Sequence, residues 1–589
     1  MERRWRIRPH DEARITALER AAGVSPVVAK LLLARGICNP QQAGIFLDAQ
    51  LTGLREPDLL PGLTAAVDRL HAALQQKRRI VVYGDYDADG MTATGLLVCC
   101  LRLLGANVGY HVPNRLEEGY GLNDESLGKL ASQGASVVVS VDCGIGSVAA
   151  AETARQLGLE LIVTDHHELR DDGLLPAAAA IVHPRLPGST YPFGGLCGAG
   201  VAFKLAWALC QRASEAKRVK PAMRDFLLAA IGLAAVGTVA DVVPLLDENR
   251  ILVRHGLVSL RQRPLPGIAA LLRVTGLDRK PQLSAEDIGF TLAPRLNAAG
   301  RLGQASLGVE LITTESAERA LRLAEYIHEL NKSRDTLERS VYLAAHKQLK
   351  EQFDPETEAA LVLAGVDWHP GVIGIVAGRL AEKYHRPVVM ISWDHLGIKP
   401  GIGSARSVGR LNLHQALAAC SQHLLSHGGH AAAAGLKIEE SKLDAFRADF
   451  CEYVSGEMSQ EDRVAEVQID AEATLGQLTL KTVEQIEQLA PFGHSNPRPI
   501  LCASGVTLAG SPRRMGNGER HLAVRVRQHG VTVRGVAFGR GEVAEELASL
   551  AAPLDVAFRP VINEFNGRRS VEMHLVDWRV SRLPALAGT

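Results

Sequence analysis

The chain has 589 residues, 65 basic against 65 acidic side chains and no net charge, so a uniformly basic nucleic-acid coat is excluded while a local basic groove is not. A hydrophobic content of 47% excludes wholesale disorder, and the length implies about three to five domains. Nine cysteines, an odd number with no CxxC pair, exclude a disulfide framework and a zinc ribbon and suit a reducing compartment.

Residues 1–60 are a mixed, Arg-containing N-terminal segment. Its start, MERRWRIRPHDEAR, lacks the apolar stretch of a secretory signal, and a cytoplasmic protein is expected. RRIVVYG (78–84) predicts a strand that ends in the acidic loop DYDADG (85–90), and 91–105 a helix closed by Gly105. NVGYHVPNR (107–115) predicts a strand running into a basic loop. ASVVVSVDCG (135–144) predicts a strand with Asp142 at its end, 147–157 a helix, and LELIVTDHH (159–167) a further strand. Strand, acidic loop and helix in repetition define a parallel sheet built from βαβ units.

The longest apolar run, Phe226–Ala240, is shorter than the roughly 20 residues that a bilayer requires; it predicts a buried core helix, and no membrane association is expected. From Ser316 to Phe353 there is neither Gly nor Pro, which predicts one helix of about 57 Å, ended by Asp354-Pro355 and suited to bridging two lobes. AALVLAG (359–365), a helix near 371–384 and RPVVMIS (386–392) predict a second α/β unit that closes with GGHAAAAG (428–435). Beyond about residue 460 the period becomes two, in HLAVRVRQ (521–528), VTVRGVAF (531–538), LDVAFRPVI (554–562) and VEMHLVDW (571–578), and predicts a small β-barrel. The expected organisation is an N-terminal segment (1–60), a parallel-sheet α/β domain (61–315), a long bridging helix (316–353), a smaller α/β domain (354–457) and an OB-like barrel (458–582).

Acids and imidazoles collect at the strand ends. Asp85, Asp87 and Asp89 follow the first strand, Asp142 ends another, Asp165, His166 and His167 end a third, and Asp241 follows the apolar helix. In a parallel sheet these loops share the carboxyl edge, where α/β proteins bind ligands. So many carboxylates together would repel or require large pKa shifts unless cations neutralise them; oxygen ligands with an imidazole suit Mn²⁺ or Mg²⁺, two of which form a phosphoryl-transfer site. A calcium loop starting at Asp85 is excluded, because its twelfth position is Leu96 rather than Glu.

GDYDADG (84–90), SVDCG (140–144), TDHH (164–167) and GTVADVVPL (237–245) resemble the four motifs of the DHH phosphoesterase superfamily. PRLNAAGRLG (294–303), GIGSARS (401–407), GGHAAAAG and APFGHSNPRP (490–499) are similar to its RecJ exonuclease branch. The resemblance runs from about residue 50 to 580. It implies a single-strand-specific 5′→3′ DNA exonuclease of recombination and repair, with two divalent metals and DHH, DHHA1 and OB domains. It also implies single-strand-binding protein and a RecQ-type helicase as partners; a monomer is expected. Carried over from the family, Asp87, Asp89, Asp142, His166 and Asp241 are metal ligands. Asp85 is a ligand or an orienting group, Asp165 joins the catalytic set, and His167 contacts the phosphate or supports a ligand.

An exonuclease of this polarity has to read a 5′-phosphorylated end, which calls for Arg and hydroxyl donors. Arg115 follows the second strand. Ser404, Arg406 and Ser407 lie in GIGSARS, read as a Gly/Ser loop with exposed N–H groups. Arg295, Asn297 and Arg301 are expected to donate to phosphate, Asn297 alternatively capping a helix, and His430 is the one side chain of GGHAAAAG able to stack or donate. Arg513, Arg514, Arg520, Arg525, Arg527 and Arg534, with Glu519 the only acid among them, form an expected single-strand-tracking patch. Phe538 and Phe565 are candidates for stacking. Two other readings use the same residues: a phosphodiesterase of short oligonucleotides or cyclic dinucleotides, and a DNA-binding adaptor without catalysis. The bridge and barrel favour a long polymer, and the intact acids favour catalysis.

Overall fold

The computed structural model describes residues 3–581 other than 116, 355, 356 and 551. Pro355 of the expected helix end, residues 1–2 of the N-terminal segment and position 582 of the barrel lie outside the described residues.

Strand β1 (Arg4–Ile7) opens the chain. The first sheet comprises β2 (Ile80–Tyr83), β3 (Val108–His111), β4 (Val137–Val141), β5 (Glu160–Thr164) and β6 (Ala180–Val182), all parallel, in the order β3-β2-β4-β5-β6. Strands buried on both faces need continuous apolar runs, and VVVSV of β4 is buried throughout. The pleat splits them between two cores. Val137, Val139 and Val141 pack with helices Ala88–Leu103 and Gly198–Ser214, while Val138 packs with Asp124–Ser132 and Val148–Gln156 on the other face. The apolar run is part of helix Pro221–Ala240, which starts at Pro221 and is therefore longer than the run itself. Its length and composition would allow it to cross a membrane, but Ala230–Thr238 is buried in the first core.

Helix Ala317–Gln352 is the expected bridge, 36 residues long or about 54 Å. Ala320, Leu323 and Ile327 near its start pack in the first core, and Val341, Ala345 and Leu349 near its end pack against the second unit. That unit has β7 (Leu361–Val366), β8 (Val388–Trp393), β9 (Gly401–Arg406), β10 (Leu424–Gly429) and β11 (Ala433–Ile438), in the order β10-β11-β9-β8-β7. GIGSAR is thus a central strand rather than a loop. Its glycines serve packing: a Cβ on Gly401 would lie 2.2 Å from Trp393, and one on Gly403 2.6 Å from Leu436. GGHAAAAG is the β10–β11 turn, with His430 exposed at its tip.

The remaining strands are β12 (Glu466–Ile469), β13 (Ala471–Glu472), β14 (Leu501–Leu508), β15 (Arg513–Met515), β16 (His521–Gln528), β17 (Val531–Ala537), β18 (Leu554–Phe565) and β19 (Arg568–Val580). Pairings β14–β18, β18–β19, β19–β17, β17–β16 and β16–β14 close a five-stranded ring in which only β17–β19 is parallel, the arrangement of an OB barrel. The N-terminal segment belongs to this barrel. β1 pairs in parallel with β12, and Val28, Leu31 and Leu32 share a core with Leu501, Val524 and Phe558.

Candidate metal centre

Strand β2 delivers DYDADG to the carboxyl edge. Asp87 caps helix Ala88–Leu103, its Oδ1 accepting from Gly90 N at 2.9 Å, and Asp89 lies buried in the first turn. Asp89 is fixed from a second element, accepting from Gly198 N (2.7 Å) and Ala199 N (2.9 Å) at the start of helix Gly198–Ser214. Nothing in the sequence reading pointed to this cradle, because it consists of backbone donors. Its trace is the small-residue stretch CGAG (197–200), where a Cβ on Gly198 would sit 2.5 Å from the Asp142 carboxylate. Asp142 follows β4 in a left-handed conformation, φ 61°, which Asp tolerates better than most residues. Asp241 ends helix Pro221–Ala240.

These ends converge. Nε2 of His166 lies 3.1 Å from Asp142 Oδ1, 3.4 Å from Asp241 Oδ2 and 3.9 Å from Asp89 Oδ2. Asp85, Asp87 and Asp142 offer oxygens within 4.8 Å of one another, as do the ligand atoms of Asp89, His166 and Asp241. Asp165 is not aimed at the cluster. Its Oδ2 accepts from Ile145 N (2.9 Å), and its Oδ1 from His166 N (2.7 Å) and from His167, by N and by Nδ1 (2.7 Å). It orients both imidazoles. Tyr120, which the sequence reading also missed, places its hydroxyl 3.2 Å from His167 Nε2.

Burial and the neighbouring Asp87 hold the Asp85 carboxyl well above its ordinary range, and burial and Asp89 do so for Asp142. For the same reasons Asp89 is pushed up to about 6 and Asp241 to about 9. Burial, reinforced by His167, lowers His166 to about 3; burial would also lower His167, but its bond to Asp165 raises it to about 9. Asp85 Oδ1, Asp142 Oδ1 and His166 Nε2 are buried without a hydrogen-bond partner. Orphaned acceptors on mutually repelling acids, with one neutral imidazole, fit two hard divalent cations.

Beside the cluster is a polar cavity of about 300 Å³ lined by Asp85, Tyr86, Asp87, Arg115, Tyr120, His167, Ala240, Asn297 and Arg301. The Arg115 guanidinium sits over Tyr86, 5.0 Å from the ring centre. Arg301 donates to Gly371 O at 3.0 Å and is lowered to about 10 by burial and by Arg115 and Arg406. Arg406 is lowered by burial and by Arg115. Three guanidiniums that repel one another beside a polar cavity favour an anion.

Other expected donors are placed differently. Asn297 takes the capping alternative, its Oδ1 accepting from Ala88 N at 2.8 Å. Arg295 turns away, donating to Thr291 O and to His328 Nδ1 (3.1 Å) on the bridging helix. The Ser407 hydroxyl is engaged by Leu411 O at 2.8 Å, whereas Ser404 accepts from Arg406 Nη1 at 3.2 Å. Of the barrel arginines, Arg534 pairs with Glu572 (2.8 Å) and Arg514 with Glu545 (3.0 Å), acids remote in sequence that the patch reading did not count. Arg513, Arg525, Arg527 and Arg534 share the outer face by register. Arg520 adjoins β16.

A parallel sheet with DHH-type acidic ends, a bridging helix, a mixed-sheet unit and an OB barrel define a DHH phosphoesterase of the DHHA1 and OB type. The DHH family, N-terminal domain, matches residues 79–231, the DHHA1 domain 358–456 and the RecJ OB domain 469–577. The single-stranded-DNA-specific exonuclease RecJ of Escherichia coli is 36% identical over 94% of this chain and 95% of its own. That of Bacillus subtilis is 35% identical over 98% of this chain and 71% of its own. The crystal structure of RecJ from Thermus thermophilus in complex with Mn²⁺ matches 98% of this chain and 80% of its own, with a TM-score of 0.81 and 33% identity. The chain belongs to the RecJ family of single-stranded-DNA-specific exonucleases.

Proposed function

We propose that the chain removes 5′-mononucleotides one at a time from single-stranded DNA, in the 5′→3′ direction, by metal-dependent phosphodiester hydrolysis. The observation that carries the reading is the position of Arg115 and Arg301 on the same small cavity as Asp85, Asp87 and His167. Asp85, Asp87, Asp89, Asp142, His166 and Asp241 would hold two divalent cations, Mn²⁺ or Mg²⁺, which activate water and neutralise the scissile phosphate. Asp165 accepts from His167 Nδ1 and so orients the ring, which lines the cavity and would contact a phosphate oxygen there.

Arg115, Arg301 and Arg406, with Ser404, would hold the terminal 5′-phosphate. Each cut that breaks the P–O3′ bond leaves a phosphate on the next nucleotide, so the same donors are used in every cycle. The DHH, DHHA1 and OB domains are assigned to the 61–315, 354–457 and 458–582 regions. In the OB domain, Arg513, Arg525 and Arg527 would follow the strand backbone, screened less by acids than Arg514 and Arg534. The chain is assigned to the cytoplasm as a monomer; its nine free cysteines suit a reducing compartment. Single-strand-binding protein and a RecQ-type helicase are the proposed partners, since they coat and supply unpaired strands.

Release of mononucleotides from a 5′-phosphorylated single strand, with and without Mn²⁺, tests the reading. Metal-dependent release from the 5′ end is expected. Cleavage of cyclic dinucleotides in preference to long strands would replace it.

A further inference from the structure

The stretch APFGHSNPRP (490–499) places no side chain in the metal cluster or its cavity, yet its turn is fastened to the loop that carries Asp241. That loop, 241–246, joins helix Pro221–Ala240 to helix Asp247–Gln262. Its backbone is strained: Val242, β-branched, has φ 59°, and Asp247 at the loop's far end has φ 47°. Such a loop keeps its shape only where its surroundings impose it.

Two clamps impose it. On the barrel side, His494 O accepts from Leu245 N at 2.9 Å, and buried Leu245 packs against Gly493, where a Cβ would lie 2.6 Å from the leucine side chain. On the catalytic side, the fully buried Asn249 donates through Nδ2 to Pro244 O (3.0 Å) and to Gly195 O (2.5 Å), in the segment that leads to the Gly198 cradle of Asp89. One amide nitrogen thereby ties together the segments that present Asp241 and Asp89. The barrel turn is held in its own shape by Asn496, also fully buried. Its Nδ2 donates to Leu489 O (2.9 Å) and Pro491 O (2.7 Å), and its Oδ1 accepts from Arg35 Nε (2.8 Å) of the N-terminal segment.

Resting on the two-metal reading above, we propose that the 490–499 turn and Asn249 are positioning elements of the metal centre. They keep Asp241 where it can share one cation with Asp89 and His166, so the docked barrel raises the affinity for that ion. Linkage makes the effect reciprocal: the ion, once bound, holds the turn against the catalytic domain. The barrel thus acts on the metal centre without contributing a ligand to it.

The test uses the full chain and Mn²⁺ alone, titrated by calorimetry and by loss of the free-ion electron paramagnetic resonance signal. Asn496→Ala and Asn249→Ala should each raise Kd for one of the two ions about ten-fold, the low end of what losing an outer-shell support costs, and leave the other Kd as it was. Half-maximal hydrolysis should then need about ten-fold more Mn²⁺. Val524→Ala, in the barrel core but outside the turn, is the control: it should lower Tm and keep both Kd values. In the wild type, Mn²⁺ should slow hydrogen exchange at the amides of Leu245 and Asn496, and Asp241→Asn should lose that protection. Unaltered Kd values in both Asn variants, an equal rise in Val524→Ala, or exchange indifferent to Mn²⁺ would overturn the proposal. If the Asn variants do not fold, the wild-type exchange measurement decides alone. A wild type that binds no Mn²⁺ would overturn the two-metal reading instead.

Discussion

Nε2 of His166 and Oδ1 of Asp142 lie 3.1 Å apart, both buried, and neither has a hydrogen-bond partner. Facing at this distance, the two atoms need a proton or a cation between or beside them, and a ligated divalent cation would serve both. Asp142→Ala is therefore expected to lower hydrolysis by at least about 10²-fold, since losing an outer-shell group alone costs about 10–100-fold. Circular dichroism should show the fold retained. Near-normal turnover at low Mn²⁺ would remove Asp142 from the ligand set.

Metal-free stability should depend on pH in a defined sense. Asp241 at about 9, with Asp85 and Asp142 also held above their ordinary range, keeps more protons in the folded than in the unfolded chain, and His167 at about 9 adds to this. Stability is then lost as pH rises from 7 towards 9; His166, lowered to about 3, acts in the opposite sense only below its ordinary value of 6.5. One proton's difference is worth about 1.4 kcal/mol per pH unit, or roughly 1–3 °C for a unit of this size. Calorimetry with EDTA should show Tm falling over pH 7–9, and the increment from Mn²⁺ growing over the same range. Asp241→Asn should flatten the metal-free slope; an unaltered slope would place the titration elsewhere.

Arg406→Ala is expected to erase the preference for a 5′-phosphate over a 5′-hydroxyl end. A charge-assisted contact contributes about 1.5–3 kcal/mol, so competition between the two substrates should shift by about ten-fold or more. The same preference in variant and wild type would locate the terminal phosphate away from β9.

All expected ligands precede Pro244, so the sequence suggests that removing everything after about residue 455 spares the metal centre. The structure changes that expectation. The cut would expose Val28, Leu31 and Leu32, and would take from buried Arg250 the carbonyls of Gln488 (3.2 Å) and Leu489 (2.8 Å). This truncation is expected to aggregate, whereas removing residues 1–48 as well should restore solubility. The doubly trimmed protein should still cleave short 5′-phosphorylated oligonucleotides. Its affinity for long strands should fall, with a salt slope shallower by about 0.7 for each lost phosphate contact. An undiminished slope would assign the barrel arginines to another role.

The metal cluster was legible because carboxylates and imidazoles at strand ends have few other uses, and the barrel because HLAVRVRQ and VTVRGVAF alternate with period two. What escaped lies in backbone and distant pairing. Gly198 and Ala199 hold Asp89 through N–H groups that leave no side-chain pattern. GIGSARS reads as a loop until Trp393 and Leu436 are seen to need the space of its glycines. Asn297 and Arg301, four apart on one helix, share a face, whereas Arg295, two residues before Asn297, points to the other side.

The pairing of β1 with β12 sets an order of events during synthesis. Arg4 meets Glu466 in register, so the first strand and the helices behind it have no partner until residue 466 and the barrel strands beyond it have emerged. At about 5–20 residues per second, that wait lasts roughly 25–90 s. Through that interval the nascent chain carries Val28, Leu31 and Leu32 uncovered. The catalytic sheet, complete by residue 182, can form long before the barrel closes. A stalled or prematurely ended chain would therefore combine a formed nuclease core with a bare apolar N-terminus, a species suited to capture by a chaperone.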